Sequence, residues 1–587
     1  MSKRAKRHAD RRTRAFHSAL ALLLVAQLAA LLWLIWHRTP HVPMWDEWEL
    51  ANFFELADRD QLRLLDFWGF QNEHRIVLPR LILYGLIAAT GWQRQIIMVF
   101  NLGIALGTFA LTFAAVRRTV GGRAAALLGV PLALLLFSFA QFENWLFAFE
   151  TNFILAGCGI ALALWGLLPR AARGEADRAF VIAIAGASIA SLSTLAGLLA
   201  WVAFLPAVWW RGPRRLALWC ALALAIGVPY FQGFPGRAGG GASLGQIARY
   251  ALAYLGGPLG YPSVPLATAY GLLGLILLAF VIGLIWWRGW PDARASTWLG
   301  LALLGLGSMV LTTAGRAALG ADQALASRYQ SFSTLLWVAL LVLAALILAR
   351  ALPPGAGRRW VGMTPSLRAG GSIGLLLIVV LGGGLLRANI YGLREGNVWL
   401  AYLQRNEECV RQYDTAPDDC LMLFYPVADL VRIHAAFLEQ HRLGIFRETP
   451  TTPDFAAPPR AGTALATIDR IGGTAPSQGV TIAADQPIIV VGWALDGAAR
   501  RPATAVYLLL DGRYTYRAEY GAARSDVATA VGSTGGDRVG FTTTLPPGMA
   551  TPGRRHTLAV RIVTADGNAY ADSAPLATFT VAAPTTP

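Results

Sequence analysis

Long apolar runs alternate with short polar stretches over the first two thirds of the chain. Because about 20 apolar residues are needed to cross the roughly 30 Å hydrocarbon core of a bilayer, these runs predict about eleven membrane-spanning helices. The runs lie near residues 19–36, 96–116, 124–140, 153–169, 179–194, 196–210, 216–232, 267–287, 297–314, 329–349 and 370–386. The fold class expected for this part of the chain is therefore a polytopic α-helical membrane protein.

Basic residues cluster between alternate pairs of these runs, and short cytoplasmic loops are enriched in Lys and Arg. The clusters are Arg117, Arg118 and Arg123; Arg170, Arg173 and Arg178; Arg211, Arg214 and Arg215; Arg288 and Arg294; and Arg350, Arg358, Arg359 and Arg368. The pattern predicts a cell-membrane protein with a cytoplasmic N-terminus and an extracytoplasmic C-terminal third. The net charge of +16 is then explained by topology and does not indicate nucleic-acid binding.

One further apolar stretch, from Ile76 to Thr90, would reverse this parity if it crossed the membrane. It is short, contains Pro79 and Arg80, and begins in a charged cluster. We predict that it is a helix lying in the outer interface.

The remaining pattern divides the chain into successive domains. We predict a basic cytoplasmic tail (1–17), a transmembrane domain (18–390) with its first outer loop at 37–95, an extracytoplasmic helical segment (391–448), a Pro/Thr-rich linker (449–461) and a β-sandwich (462–587). The β-rich runs are 488–493, 505–510 and 558–563, and Asp-Gly pairs at 496, 511 and 566 indicate turns. Trp493, Tyr514, Tyr516 and Tyr520 could stack on sugars or belong to the core, so the sandwich could be a spacer, a protein-contact module or a sugar-binding module.

The first outer loop carries a pair of acids just after the first span. Asp46 and Glu47 lie between Trp45 and Trp48, and Trp side chains favour the membrane interface. Such a carboxylate could act as general base for a hydroxyl or amine acceptor that meets a lipid-borne donor. A solvated, helix-capping pair is the alternative.

The same loop continues with His74, Arg75 and Arg80. Arginine binds phosphate oxygens through its planar fork, so these residues are candidates for a lipid phosphate or diphosphate. Snorkelling towards lipid headgroups is the alternative.

Two later outer loops carry further charges. Glu143 lies among apolar residues and would need a cation, an arginine or a substrate as its partner. Arg316, Arg328 and Tyr329 lie on a face where cations are uncommon, which favours an anionic ligand; an ion pair between Arg328 and Asp322 is the alternative.

Two sequence features bound the chemistry further. Cys409 and Cys420 lie in a segment predicted to be outside, where a disulfide is chemically allowed, although two free thiols are the alternative. The sequence contains no Walker A loop, no G-x-G-x-x-G in a βαβ context, no zinc-type Cys/His spacing and no nucleophile elbow, so nucleotide-driven chemistry is not expected.

This arrangement resembles the GT-C superfamily of polyprenyl-phosphate-sugar-dependent membrane glycosyltransferases, the group that includes protein O-mannosyltransferases and the aminoarabinose transferase acting on lipid A. The resemblance covers roughly residues 15–390 in architecture. Asp46-Glu47 occupies the position of the family's first-loop acid and Glu143 that of its second-loop acid. The run from Asn72 to Arg80 is similar to members of unknown substrate, whereas the His-Pro-Pro-Leu-type signature of the mannosyltransferases is missing.

The resemblance implies an inverting transfer of a sugar from a polyprenyl-phosphate donor to an acceptor at the outer face. Asp46 or Glu47 would deprotonate the acceptor, and Arg75, Arg316 and Arg328 would hold the phosphate leaving group. Some relatives use a divalent cation such as Mg²⁺ or Mn²⁺ and others use none. The acceptor could be a glycan, a lipid or a protein. A transporter or lipid flippase, or a non-catalytic scaffold presenting the β-module, are the competing functions.

Overall fold

The computed structural model describes residues 3–170, 172–236, 241–351, 365–414, 416–447, 464–476, 479–483, 488–512, 514–545, 550 and 552–582, without the side chains of 3–17, 173, 365–373 and 514. Several predicted features lie outside this description. They are the linker 449–461, the side chains of the tail 1–17, residues Arg358 and Arg359, and the side chain of Arg368. The chain divides into two compact units, residues 1–405 and 406–587.

The first unit is helical. Its helices are α1 Lys3–Arg38, α2 Ala51–Asp58, α3 Val77–Thr90, α4 Arg94–Val120, α5 Gly122–Leu136, α6 Phe142–Leu146, α7 Thr151–Leu167, α8 Arg173–Ser191, α9 Leu199–Ala203, α10 Leu205–Trp209, α11 Pro213–Phe231, α12 Leu244–Gly260, α13 Val264–Trp287, α14 Ala293–Arg316, α15 Gln330–Ala351 and α16 Pro365–Asn406. Short 3₁₀ turns lie at Trp45–Leu50, Leu64–Trp68, Phe139–Gln141, Ala148–Glu150, Leu195–Leu198, Ala317–Leu319, Gln323–Leu325 and Ser327–Tyr329.

Within the described residues, nine helices are long and apolar enough to cross a membrane. They are Ser18–Arg38, Arg94–Val120, Gly122–Leu146, Ala148–Leu167, Pro213–Phe231, Val264–Trp287, Ala293–Leu319, Ser327–Ala351 and Gly374–Arg411. Each matches one of the eleven predicted runs, and the protein is a multi-pass membrane protein. The run 179–194 falls on α8, which begins with polar residues. The run 196–210 falls on the shorter segment Leu195–Trp209, which is divided into a 3₁₀ turn and two short helices.

The stretch predicted to lie in the interface forms α3, a helix of 14 residues. At 1.5 Å per residue it is about 21 Å long, which is too short to cross the hydrocarbon core. It ends at Gly91, whose φ of 64° is left-handed, as is common at a helix C-terminus. Its position relative to a bilayer stays a prediction.

Small residues allow the helices of this unit to approach closely, as is usual in membrane proteins. In the pair α7 and α8, a methyl group added at Gly159 would lie 2.5 Å from the carbonyl oxygen of Gly186. In the pair α12 and α13, a methyl group at Gly256 would lie 1.8 Å from the carbonyl oxygen of Ala267. Larger side chains at either glycine would force these helices apart.

The second unit begins with the helices α17 Glu408–Arg411, α18 Asp418–Leu421 and α19 Ala428–Gln440. Cys409 and Cys420 are joined by a disulfide. Helix α19 lies within the predicted helical segment 391–448 and buries Val431, His434 and Leu438.

The rest of this unit is a β-sandwich. Its strands are β1 Ala464–Ile471, β2 Val480–Ile482, β3 Ile488–Asp496, β4 Ala505–Leu510, β5 Tyr514–Arg517, β6 Glu519–Ala523, β7 Arg538–Leu545, β8 Arg555–Val563, β9 Tyr570–Asp572 and β10 Ala577–Val581, with helix α20 Ser525–Val531 between β6 and β7. One sheet has the order β1-β3-β7-β6; the other has the order β2-β10-β8-β4-β5, with β9 paired to β8. Neighbouring strands are antiparallel except β2 and β10.

Alternating inward-facing residues of both sheets form the main core, as expected for a sandwich. The three β-rich runs predicted from the sequence correspond to β3, β4 and β8. Among the aromatic residues considered for sugar stacking, Tyr516 and Tyr520 pack against this core, and Trp493 packs against a smaller cluster around Leu495. The Tyr514 side chain lies outside the described part of the chain.

Candidate active site

The chain turns sharply between α1 and α2, where the 3₁₀ turn Trp45–Leu50 begins. Trp45 has a left-handed φ of 48°, which is costly for a bulky residue. The Glu47 carboxylate accepts a hydrogen bond from the Met44 backbone N–H (3.2 Å), and the Glu47 N–H donates to the Met44 carbonyl (3.0 Å). This reciprocal pair fixes the turn and so determines where Asp46 and Glu47 point.

Glu47 is buried in a fully partnered position. Arg94, at the start of α4, donates from Nε to Oε2 (2.6 Å) and from Nη2 to Oε1 (3.0 Å). The backbone N–H of Ala148 donates to Oε1 (2.8 Å), and the exposed fractions of Glu47 and Arg94 are 1% and 0%. The carboxylate therefore ties the first loop to α4 and to the turn before α7.

Asp46 has the opposite environment. It is only partly exposed, and no hydrogen bond or ion pair joins its carboxylate to another residue that the structure describes. Burial raises its pKa to about 6; the Glu49 charge adds to the increase, and Arg328 and Arg316 oppose it. A carboxylate with a pKa near 6 is largely ionised at neutral pH and can still accept a proton efficiently.

Arg316, at the end of α14, lies close enough to influence this carboxylate. Its Nη2 donates to Glu73 Oε1 (2.9 Å), and its guanidinium carbon lies 5.5 Å from the ring centre of Tyr329. Because a guanidinium has five N–H donors, the ion pair with Glu73 leaves donors available for an anion.

Arg328 joins Asp46 electrostatically to Glu143. Its Nη1 lies 3.7 Å from Glu143 Oε1, and its backbone N–H donates to Glu143 Oε2 (2.9 Å). The Ser327 hydroxyl also donates to Glu143 Oε2 (2.9 Å). The partner of Arg328 is therefore Glu143 and not Asp322, the partner considered from the sequence.

The ring of Tyr329 lies against both of these arginines. Arg328 lies 5.6 Å from its ring centre, and its hydroxyl accepts a hydrogen bond from Gln323 (3.1 Å). Tyr329 is 6% exposed. It therefore supports both guanidinium groups from the protein side.

The structure gives Arg75 a role other than phosphate binding. Its Nε donates to the Tyr230 carbonyl (2.8 Å) and its Nη1 to the Trp68 carbonyl (2.5 Å), while Nη2 donates to the Gln232 carbonyl. The guanidinium carbon lies 3.8 Å from the ring centre of Phe70. Arg75 thus fastens the first loop to the end of α11.

Arg80 is used in a similar way. Its guanidinium donates to the carbonyls of Gly69 (2.5 Å) and Phe70 (3.3 Å) and to the side-chain oxygen of Gln71 (3.0 Å). It is 5% exposed. Snorkelling and phosphate binding, the two roles considered from the sequence, both require an accessible guanidinium, whereas Arg80 holds the loop from within.

His74 lies beside Glu73 at the edge of the site. Its Nε2 is 3.9 Å from Glu73 Oε1, and its Nδ1 accepts a hydrogen bond from the Leu195 backbone N–H (3.2 Å). The backbone of His74 also pairs with Gln71. The ring therefore orients Glu73, the partner of Arg316.

Sequence reasoning assigned no role to three residues of this site. Arg94 precedes an apolar run and resembles an ordinary flanking charge, and Glu49 resembles a solvated neighbour of the Asp-Glu pair. Glu150 is 3% exposed, and its Oε2 has no hydrogen-bond partner among the described residues. The available signal for Glu150 was an acid placed directly before an apolar span.

An apolar groove adjoins Arg316. Its volume is about 350 Å³, and it is lined by residues from the start of α12 and the end of α14, including Ile247, Met309, Val310 and Arg316. A ligand with a hydrocarbon part in the groove could place an anionic group against the guanidinium.

No group of three or more His, Cys, Asp or Glu side chains with metal-binding geometry occurs in the part of the chain that the structure describes. The described residues therefore offer no such set of protein ligands for the Mg²⁺ or Mn²⁺ that some members of the GT-C superfamily use.

Comparisons with known proteins gave few matches. No protein-family model and no curated protein matches the chain. Among solved structures, the crystal structure of ArnT from Cupriavidus metallidurans bound to undecaprenyl phosphate shares 17% identity over 72% of this chain and 75% of that chain, with a TM-score of 0.36. Its apo structure shares 18% identity over 73% and 78%, with the same TM-score of 0.36. At this TM-score the likeness carries no argument about fold or function.

Proposed function

We propose that the protein is a membrane glycosyltransferase that moves a sugar from a polyprenyl-phosphate donor to an acceptor at the extracytoplasmic face. The observation that carries this proposal is the contrast between two adjacent acids. Glu47 is locked by Arg94, whereas Asp46 is unpaired, partly buried and has a pKa raised to about 6. A base of this kind near two arginines suits transfer from a phosphate leaving group.

The reaction assigns a role to each of these groups. Asp46 takes the proton of the acceptor hydroxyl as the acceptor oxygen forms a bond to the anomeric carbon of the donor sugar. The bond from that carbon to the phosphate oxygen breaks, and its electron pair leaves with the polyprenyl phosphate. Attack opposite the leaving group gives inversion at the anomeric carbon.

Arg316 and Arg328 are the proposed partners of the phosphate. Both already influence Asp46, so a phosphate held between them would lie near the base. The groove beside Arg316 would receive the first units of the polyprenyl chain. Arg75 and Arg80 have no part in this proposal, because backbone carbonyls occupy their guanidinium groups.

Binding of radiolabelled undecaprenyl phosphate to the purified full-length protein in nanodiscs tests the donor side. Replacing Arg316 by alanine removes a charge-assisted hydrogen bond to the phosphate, which typically weakens binding by about 1.5–3 kcal/mol. A difference of about 1.4 kcal/mol in binding free energy corresponds to a tenfold change in affinity. We therefore expect at least tenfold weaker binding. Arg59→Ala, which removes an exposed arginine that pairs with Glu55 at 3.7 Å, is the matched control and should bind like wild type. Equal binding by all three proteins would contradict the proposal.

A further inference from the structure

A cleft of about 690 Å³ lies between helix α16 and the segment that carries Glu143. We call it the α16 cleft. Its lining includes four aromatic residues and both signs of charge, namely Phe142, Glu143, Tyr391, Arg394, Trp399 and Tyr402. In the candidate active site Glu143 contacts Arg328 and Ser327, and neither contact fills the cleft.

One wall of the cleft is held firmly against the Glu143 segment. The side-chain oxygen of Asn389 accepts a hydrogen bond from the Phe139 N–H (3.0 Å). One turn further along, a methyl group added at Gly392 would lie 2.2 Å from the Phe139 carbonyl oxygen. The ring centres of Phe142 and Trp399 are 5.9 Å apart. The helix and the segment therefore pack through backbone-level contact.

Helix α16 is also fixed by the turn that follows α12. Arg387 donates to the carbonyls of Gly260 (3.2 Å) and Tyr261 (3.1 Å), and the Tyr261 hydroxyl donates to Glu395. The cleft is consequently a preformed feature, and a ligand would not need to order its walls.

The length of α16 predicts that the cleft lies beyond the hydrocarbon core. The helix has 42 residues, which corresponds to about 63 Å, roughly twice the thickness of the core. Its apolar stretch ends before Arg387, and Arg394 lies two turns further along. We therefore expect the aromatic side chains to lie on the aqueous side of the interface, where a water-soluble part of a substrate can reach them.

The surface of the cleft fits the chemistry of a sugar. Tyr391 and Tyr402 remain 38% and 52% exposed, and the guanidinium carbon of Arg387 lies 4.8 Å from the ring centre of Tyr391. Exposed aromatic surface therefore lines the cleft. Arg394 supplies donors for hydroxyl groups, and Glu143, whose Oε2 already accepts from the Ser327 hydroxyl and the Arg328 N–H, keeps acceptor capacity on Oε1. A sugar ring has an apolar face and a hydroxyl-bearing edge, whereas an acyl chain would offer the Arg394 guanidinium no acceptor.

We propose that the α16 cleft binds the acceptor and that the acceptor is a glycan. This inference rests on the proposed function. Glu143 is 3.7 Å from Arg328, and Arg328 acts on Asp46. A glycan in the cleft would thus lie beside the residues that connect to the base.

Saturation-transfer NMR on the full-length protein in nanodiscs tests the cleft directly. The probes are methyl glycosides of glucose, galactose, mannose, rhamnose and N-acetylglucosamine, with a Ser/Thr-rich hexapeptide as the alternative acceptor class. Loss of an aromatic contact is worth up to about 1.5 kcal/mol beyond buried area, so Trp399→Ala should weaken glycoside binding about tenfold. Trp286→Ala, which removes a 70% exposed Trp elsewhere in the unit, is the matched control and should not change it.

The outcomes separate the cleft from the reaction. Glycoside binding that Trp399→Ala weakens and Trp286→Ala does not, with equal thermal midpoints, supports the inference. No glycoside signal, glycoside binding unaffected by Trp399→Ala, or binding of the hexapeptide alone overturns it. If the protein binds undecaprenyl phosphate and transfers sugar but fails this test, only the assignment of the cleft as acceptor site is wrong. A protein that binds glycosides in the cleft and neither binds nor uses a donor refutes the proposed function and the acceptor role with it.

Discussion

Replacing Glu47 by glutamine should destabilise the first unit and leave the chemistry of the remaining folded protein largely intact. Glu47 and Arg94 form a doubly hydrogen-bonded ion pair, with distances of 2.6 and 3.0 Å, and both side chains are at most 1% exposed. Removing one member of a buried ion pair typically lowers the free energy of unfolding by about 3–5 kcal/mol, because the other charge is left uncompensated.

The contacts of Glu47 indicate where in this range the Glu47→Gln variant should fall. The amide keeps the size of the side chain, and its remaining oxygen can still accept from the N–H of Ala148 or Met44. We therefore expect a loss near the lower limit, about 3 kcal/mol. The double variant Glu47→Gln/Arg94→Gln should lose less than the sum of the two single variants, because it leaves no isolated charge.

Unfolding of the purified protein by titration with SDS measures these losses. Glu55→Gln is the matched control, because Glu55 pairs with an exposed Arg59 at 3.7 Å, and such surface pairs contribute about 0–1 kcal/mol. The reasoning is refuted if Glu47→Gln is as stable as Glu55→Gln and yet loses all transfer activity. That result would make Glu47 the base.

The remaining predictions concern pH, the first loop and the second unit. If Asp46 is the base, kcat/KM rises with pH through a midpoint near 6 and then levels off, because the carboxylate must be ionised. Glu49→Gln should lower this midpoint, because the Glu49 charge raises the pKa of Asp46. An unchanged midpoint in Glu49→Gln would argue against Asp46 as the titrating group. Arg75→Ala should reduce thermal stability and leave the affinity for undecaprenyl phosphate within about twofold, whereas a tenfold loss of affinity in a stable protein would restore Arg75 as a phosphate ligand. Cys409 and Cys420 should resist a thiol-labelling reagent until the protein is reduced, and labelling before reduction would show free thiols. Because the disulfide closes a loop of 11 residues, its reduction should lower the free energy of unfolding by about 2–3 kcal/mol.

The sequence was sufficient for the features that depend on local pattern. Runs of apolar residues identified the nine candidate spanning helices of the described residues, together with two runs that form other helices, and β-rich runs with Asp-Gly turns identified the β-sandwich. The acidic pair Asp46-Glu47 was also recognisable, because charges beside a membrane surface are unusual.

The sequence could not tell which acid of the pair is free. That distinction depends on Arg94, 47 residues later, and on the Ala148 N–H, 101 residues later. The arginines present the same difficulty. Arg75 and Arg316 are both charges near a predicted interface, and only the fold shows that carbonyl groups surround Arg75 while a single carboxylate partners Arg316.

Transfer of radiolabelled sugar from a panel of polyprenyl-phosphate sugars, by the full-length protein in nanodiscs, tests the central claim most directly. The comparison is between wild type, Asp46→Asn and Glu55→Gln. We expect wild type and Glu55→Gln to transfer sugar equally and to release polyprenyl phosphate, and Asp46→Asn to bind undecaprenyl phosphate normally while its transfer falls by at least 100-fold, the lower end of the usual contribution of a general base. Transfer by Asp46→Asn at the wild-type rate, or no turnover and no binding of any donor by wild type, would contradict the account.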